Sequence, residues 1–241
     1  MTMTANNILC ADMEMLHLMN VLQYTDSTFP VGTFSFSNGL ETAAYEKIVH
    51  DAPTLEAFTR AASEQAAYTD GVAAIHALRA AKADDYEALL EADYMLQASK
   101  MNAEARLMLA RMGKKLAELG VKLFPENTLI ARWLEDIRAE KTPGTYPVAQ
   151  GLVFAAAGMD EKSLFCSHQY GVINMILGAA LRLVRVSHID TQLILQRLTA
   201  ESIDMFETVR TLPLDRMQAF VPQMDVCASL HEKGKMRMFM N

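Results

Sequence analysis

The chain has almost no material for a β-sheet. Across 241 residues no run of β-branched residues alternates with polar ones at period two, so sandwich, barrel and doubly wound sheet architectures are excluded. Cysteine is scarce: Cys10, Cys166 and Cys227 are too few and too scattered for a disulfide framework, which fits a reducing compartment. Positive charge is short as well. With 22 Lys and Arg against 29 Asp and Glu the net charge is -7, which argues against a nucleic-acid surface. The six histidines (His17, His50, His76, His168, His188, His231) never fall within a helical turn or two of each other, so no local metal motif is formed. No metal site and no cofactor are expected. The N-terminus lacks the positive region of a secretory signal, and the apolar stretch 171–184 is interrupted by Asn174 and Arg182 and too short to span a bilayer. A cytoplasmic protein is the expectation.

Helical periodicity runs from end to end instead. Leu129, Ile130, Trp133, Leu134 and Ile137 form one apolar stripe. Ala105, Met108, Leu109, Met112, Leu116 and Leu119 form another, with Gly120 as its stop. Leu195, Leu198, Met205, Phe206 and Val209 mark a later face that begins near the candidate caps Ser187 and Asp190. The segment 165–184 is apolar nearly all round and reads as the central buried helix, with Gly171 and Gly178 letting a neighbouring helix approach closely. Breaks fall at Asp51-Ala52-Pro53, Lys82-Ala83-Asp84, Phe124-Pro125, Lys141-Thr142-Pro143-Gly144, Gly158 and Leu212-Pro213. No linker or low-complexity stretch divides the chain. The pattern predicts one all-α domain over residues 1–241, a helical bundle of about eight to ten helices around a central apolar helix.

The stretch Phe29-Pro30-Val31-Gly32-Thr33-Phe34-Ser35-Phe36-Ser37-Asn38-Gly39-Leu40-Glu41 breaks this regularity. Pro30 fixes its own φ, and Gly32 and Gly39 permit backbone angles that other residues avoid. A loop this apolar should be packed down, with its backbone groups paired internally, and Ser37 or Asn38 is placed to cap a helix starting near Gly39. A nucleophile elbow needs glycine two residues either side of serine, which neither Ser35 nor Ser37 has; a P-loop needs a Gly-Lys-Ser/Thr ending, and no Lys or Arg precedes Lys47.

Other constellations carry less chemistry. The carboxylates Asp84, Asp85, Glu87, Glu91 and Asp93, then Glu135, Asp136 and Glu140, read as solvated helix faces. Cys166 and His168, two apart, read as a core thiol beside an unrelated histidine rather than a soft-metal pair. Arg182 and Arg185 either cap the end of the apolar helix or reach a partner. Seventeen methionines are unusual, and Met236, Met238 and Met240 alternate with Arg237, Phe239 and Asn241. Thioethers suit adaptable interfaces, so residues 231–241 read as a partner-binding tail outside the core.

Four segments together carry a resemblance. Pro30-Val31-Gly32-Thr33-Phe34-Ser35-Phe36-Ser37-Asn38-Gly39-Leu40-Glu41 resembles the N-terminal signature of the urease accessory protein UreF family. Tyr146-Pro147-Val148-Ala149-Gln150-Gly151 with its alanine run, Arg182-Leu183-Val184 with Asp190 and Gln192, and His231-Glu232 with Arg237 and Phe239 are similar to later segments of that family, in the same order. Departures occur at Ala43 and Ala44, at Thr145 where many members carry histidine, at Arg185 in place of proline, and at Ser187-His188 and Lys235-Met236. The resemblance implies an all-helical, non-catalytic scaffold that binds a UreD/UreH-like protein, dimerises, and recruits a UreG-like GTPase to deliver nickel to the urease apoprotein. It implies partner contacts at Pro30, Gly32, Phe34, Ser35, Ser37, Gly39, Leu40, Glu41, Arg182, His231, Glu232, Arg237 and Phe239. The rival reading is a small helical enzyme or ligand-binding protein using the Ser/Thr loop, which would need an activating base that the sequence does not identify.

Overall fold

The computed structural model describes residues 5–231 and 237–240, with side chains from residue 14 onward except that of Phe34. Glu232 therefore lies outside the described residues. Eleven α-helices are present among them: α1 Ala5–Thr25, α2 Leu40–Tyr45, α3 Ala52–Ala66, α4 Val72–Lys82, α5 Tyr86–Ser99, α6 Ala103–Leu123, α7 Thr128–Arg138, α8 Tyr146–Ala156, α9 Glu161–Leu183, α10 His188–Val209 and α11 Pro222–His231. No strand occurs among the described residues. The all-α bundle is as the periodicity predicts, with the helix breaks at the Gly, Pro and Asp clusters.

Side-chain caps fix where helices begin. Asp51 and Ser187 each form a reciprocal capping box, with Thr54 and Asp190, and Asp85, Asn102, Asn127 and Asp160 accept from an N–H of their first turn. Gly120 does not stop α6, which continues to Leu123. There a Cβ would sit 3.2 Å from Val153 and 3.3 Å from Ile130, so this glycine serves packing rather than termination.

The most enclosed element is α8, not the segment 165–184. Every residue of α8 from Pro147 to Phe154 is buried, between α4, α6 and α7. The close approach that sequence assigned to Gly171 and Gly178 occurs at Gly151. A Cβ on Gly151 would lie 2.7 Å from the Ala74 carbonyl oxygen, 2.8 Å from Ala77 Cβ and 2.8 Å from Leu78 N. Alanines on α4 and glycine on α8 let the two backbones pack at a distance that side chains would forbid. Around this pair Leu78, Leu89, Leu96, Ile130, Trp133, Leu152 and Phe154 form the larger core cluster.

The helix α9 is 23 residues long, more than sequence breaks suggested, and is long and apolar enough by length and composition to cross a bilayer. Just over half (56%) of its apolar window is buried inside the bundle, against α3, α10, α1 and α2, which is how a core helix passes that test. Cys166 on it is exposed while His168 is buried, so the thiol is not in the core and the two do not share a face. A Cβ at Gly171 or Gly178 would meet nothing within 4 Å, so neither glycine admits a neighbouring helix.

The acidic stretch after α4 is also not uniformly solvated. Asp93 is fully buried, and its carboxylate accepts from Thr142 Oγ1 (2.6 Å), Gly144 N (2.9 Å), Thr145 N (2.8 Å) and Thr145 Oγ1 (2.6 Å). One carboxylate thus shapes the whole α7–α8 connection, a role that needs its lone pairs filled before it can be buried.

Two glycine variants test the packing. Gly151→Ala should destabilise by about 1–3 kcal/mol through overpacking of α4 against α8. Gly178→Leu should melt like the unaltered protein. Urea denaturation of both, read by helical circular dichroism, checks the contrast.

Candidate functional site: a clasp joining both ends of the chain

Residues 29–41 form a compact loop built from turns. Phe29 N donates to Asp26 O (3.0 Å), Val31 N to Phe29 O (2.8 Å) and Phe36 N to Thr33 O (3.2 Å), around a single 3-10 turn at Thr33–Ser35. Val31, Phe36, Ser37 and Leu40 are buried, as an apolar loop requires, while Pro30 is exposed. Asn38 (φ 55°) and Gly39 (φ 80°) both take left-handed backbone, and Gly39 itself occupies the cap of α2. Ser37 Oγ accepts from Glu41 N at 3.4 Å. A fully enclosed hydroxyl at that position serves the helix start.

This geometry aims Glu41 at the other end of the chain. Its carboxylate accepts from Met238 N (2.7 Å), Phe239 N (3.0 Å) and His231 Nε2 (3.0 Å). The other face of the imidazole meets a second carboxylate: His231 Nδ1 lies 2.9 Å from Glu104 Oε2, and Arg237 Nη1 donates to Glu104 Oε1 at 3.0 Å. Carboxylates only accept, so an imidazole with a carboxylate oxygen on each nitrogen donates from both and is an imidazolium. Two carboxylates then face one imidazolium and one guanidinium, and the buried charge balances.

Burial works to raise the Glu41 carboxyl, but the Met238 and Phe239 amides and then His231 outweigh it, leaving the group below its ordinary range. Glu104 and His231 are 7% and 4% exposed, so their polar atoms are satisfied by these partners rather than by solvent. The remaining backbone donor, Met240 N, reaches the carbonyl of Ser35 at 2.8 Å.

Sequence placed the tail outside the core; the structure puts Phe239 in it. The ring is 5% exposed and packs within the second core cluster, with Leu40, Leu177, Ala180 and Cys227. The Arg182 guanidinium lies over it, 4.7 Å from the ring centroid. That contact, a cation over an aromatic face, is neither of the two roles offered for Arg182 from sequence. Side chains alternate along the segment: Phe239 points in, while Met238 and Met240 point out, 59% and 45% exposed.

Of the sequence-predicted residues, Ser35, Ser37, Gly39, Leu40, Glu41, Arg182, His231, Arg237 and Phe239 converge here. Gly32 lies in the same loop beside Lys115, and its Cβ would be 3.2 Å from that ammonium. Phe34 sits on the 3-10 turn. Glu104 was missed. In sequence it is one acidic residue in the first turn of a helix, where the dipole already accounts for it. Asn102 was missed too: it caps α6 and its Nδ2 donates to Asp225 on α11 at 2.6 Å, fixing the helix that presents His231.

Comparison with known proteins finds relatives over most of the chain. The UreF family model matches residues 49–199. The chain is 47% identical over 224 residues to urease accessory protein UreF 2 of Brucella canis, covering 93% of this chain and 92% of that protein. Urease accessory protein UreF 1 of Brucella melitensis is 47% identical with the same coverage, and urease accessory protein UreF of Yersinia enterocolitica is 44% identical over 93% of this chain and 98% of its own length.

The clasp gives a pH dependence with a definite sign. A carboxyl held below its unfolded value, about 4.3 for glutamate, contributes its full stabilisation above that value and loses it as pH falls through the lower folded one. Amide hydrogen exchange at Met238, Phe239 and Met240 should therefore stay slow at neutral pH and accelerate on acidification below about pH 4. Glu41→Ala should abolish that protection already at neutral pH while α8 remains protected.

Proposed function

This chain belongs to the UreF family of urease accessory proteins, and we propose that it is a non-catalytic scaffold of urease maturation, joining a UreD/UreH-like protein to a UreG-like GTPase. Nickel is the cargo of that assembly, destined for the urease apoprotein, and the scaffold works there as a homodimer. The single observation that best supports this reading is the clasp. Residues that carry the family resemblance from opposite ends of the chain are spent on building one surface, and Ser37 Oγ accepts from the backbone N–H of Glu41. Ser37, the best enclosed hydroxyl of the loop, is used on the backbone of α2.

A rigid tail with outward methionines is a docking element of a particular kind. Phe239 and Arg237 hold the segment down, and Met238 and Met240 offer unbranched, repackable apolar area to the UreD/UreH-like partner. The order of the segment is then already met before the partner arrives, which lowers the cost of binding.

Co-purification tests this. Met238→Asp combined with Met240→Asp should melt like the parent and lose capture of the UreD/UreH-like partner. Phe239→Ala should lose both capture and stability, the latter by about 3 kcal/mol, as for a large ring removed from a core. Retention of partner by the double aspartate variant would place the docking surface elsewhere.

A further inference from the structure

Four methionines, Met108 and Met112 from α6, Met175 from α9 and Met224 from α11, help line a partly open cavity of about 110 Å³. One wall of it is polar. A π-helical turn at Ala67–Gly71 joins α3 to α4 and carries Asp70 into the interior, where it pairs with Lys100 and accepts from Thr69 Oγ1 at 2.7 Å. Such single π turns are frequent at functional sites because they re-aim a side chain. Asp70 and Lys100 neutralise each other, while Asp225, which also lines the cavity, accepts from Asn102 Nδ2 at 2.6 Å.

His168, also on that wall, is 4% exposed. Its Nδ1 lies 2.8 Å from Gln150 Oε1, an oxygen that only accepts, so Nδ1 carries the proton and Nε2 offers a lone pair. Burial pushes the imidazole below its ordinary range, Asp70 opposing and Lys100 adding to the shift, which keeps the ring neutral. Nε2 has no hydrogen-bond partner among the described residues. A buried acceptor left in this way costs about 1–3 kcal/mol, a cost that a donor entering the cavity would remove.

The geometry points to a binding site for a small neutral aromatic molecule carrying one hydrogen-bond donor, its ring among the four methionines and its donor on His168 Nε2. Thioether sulfur favours the edge of an aromatic ring, and apolar cavities of roughly 150 Å³ take up benzene. A neutral Nε2 accepts and cannot donate, which selects a hydroxyl or N–H over a carbonyl. Nε2 is closed off in the resting packing, so entry displaces lining side chains, and the unbranched methionines have the rotamer freedom to move.

Phenol and toluene are the probes, since they share a shape and differ by the donor. Titration calorimetry on the full chain at neutral pH should show saturable phenol binding, tighter than toluene by up to about tenfold, the worth of one hydrogen bond. His168→Phe should remove that preference. Gly171→Leu is the second variant: Gly171 lines the cavity, an added Cβ there meets nothing within 4 Å, and the variant should fold normally and bind neither probe. Equal affinity for the two probes, no saturable binding of phenol, or undiminished binding by Gly171→Leu would each overturn the proposal. Should His168→Phe not fold, the wild-type pair and Gly171→Leu still decide.

Discussion

The structure turns on the need to satisfy two carboxylates, the buried Glu104 and the half-buried Glu41. Neither has an adequate partner near it in sequence. Glu41 begins a six-residue helix that follows left-handed backbone, and Glu104 opens a helix whose dipole offers only modest compensation. The groups that complete them come from beyond residue 230: one imidazolium, one guanidinium and two backbone amides. Removing His231 would leave the buried Glu104 facing only the exposed Arg237, a costly kind of defect in a small core. The apolar half of the clasp, Phe239 under Arg182, depends on the same register, because the ring enters the core only if Glu41 holds its amide.

Two kinds of close packing divide the rest of the molecule. On the α4–α8 side backbones touch through Gly151 and the α4 alanines, and the interior is dense. On the α9 side the glycines face open space and methionines supply the filling, so that part of the interior is adaptable. The division matches the surface: the dense half is sealed by α5, α6 and α7, and the adaptable half lies beneath the loop and tail that carry the family resemblance.

Helix existence and the position of most breaks could be read from sequence, because caps and glycine–proline clusters act locally. Ser187 and Asp190 were visible as caps, and Asp51-Ala52-Pro53 as a break, for that reason. Burial rank could not be read in the same way. The run 165–184 and the run 146–156 are both apolar, and only three-dimensional enclosure shows that the shorter one is central. Two glycines in apolar helices differ, Gly151 crowded and Gly178 open, since the neighbour that decides the matter is distant in sequence. The convergence of residues 30–41 with His231 and residues 237–240 carried no signal, since the resemblance implied partner contacts for both segments and not contact with each other. Glu104 and Asp93 carried no signal at all: a carboxylate paired across the fold is spelled no differently from one on a solvated face.

The separation of the clasp's two halves has a consequence for the order of events during synthesis. His231 Nε2 meets a carboxylate 190 residues earlier in the chain. At about 5–20 residues per second a ribosome needs roughly 10–40 s to span that distance. Throughout that interval Glu41 and the loop leading to it have emerged without the groups that complete them. The nascent chain can form α3 to α9 and still lack the finished clasp, which needs His231, Met238 and Phe239 to have emerged and reached Glu41.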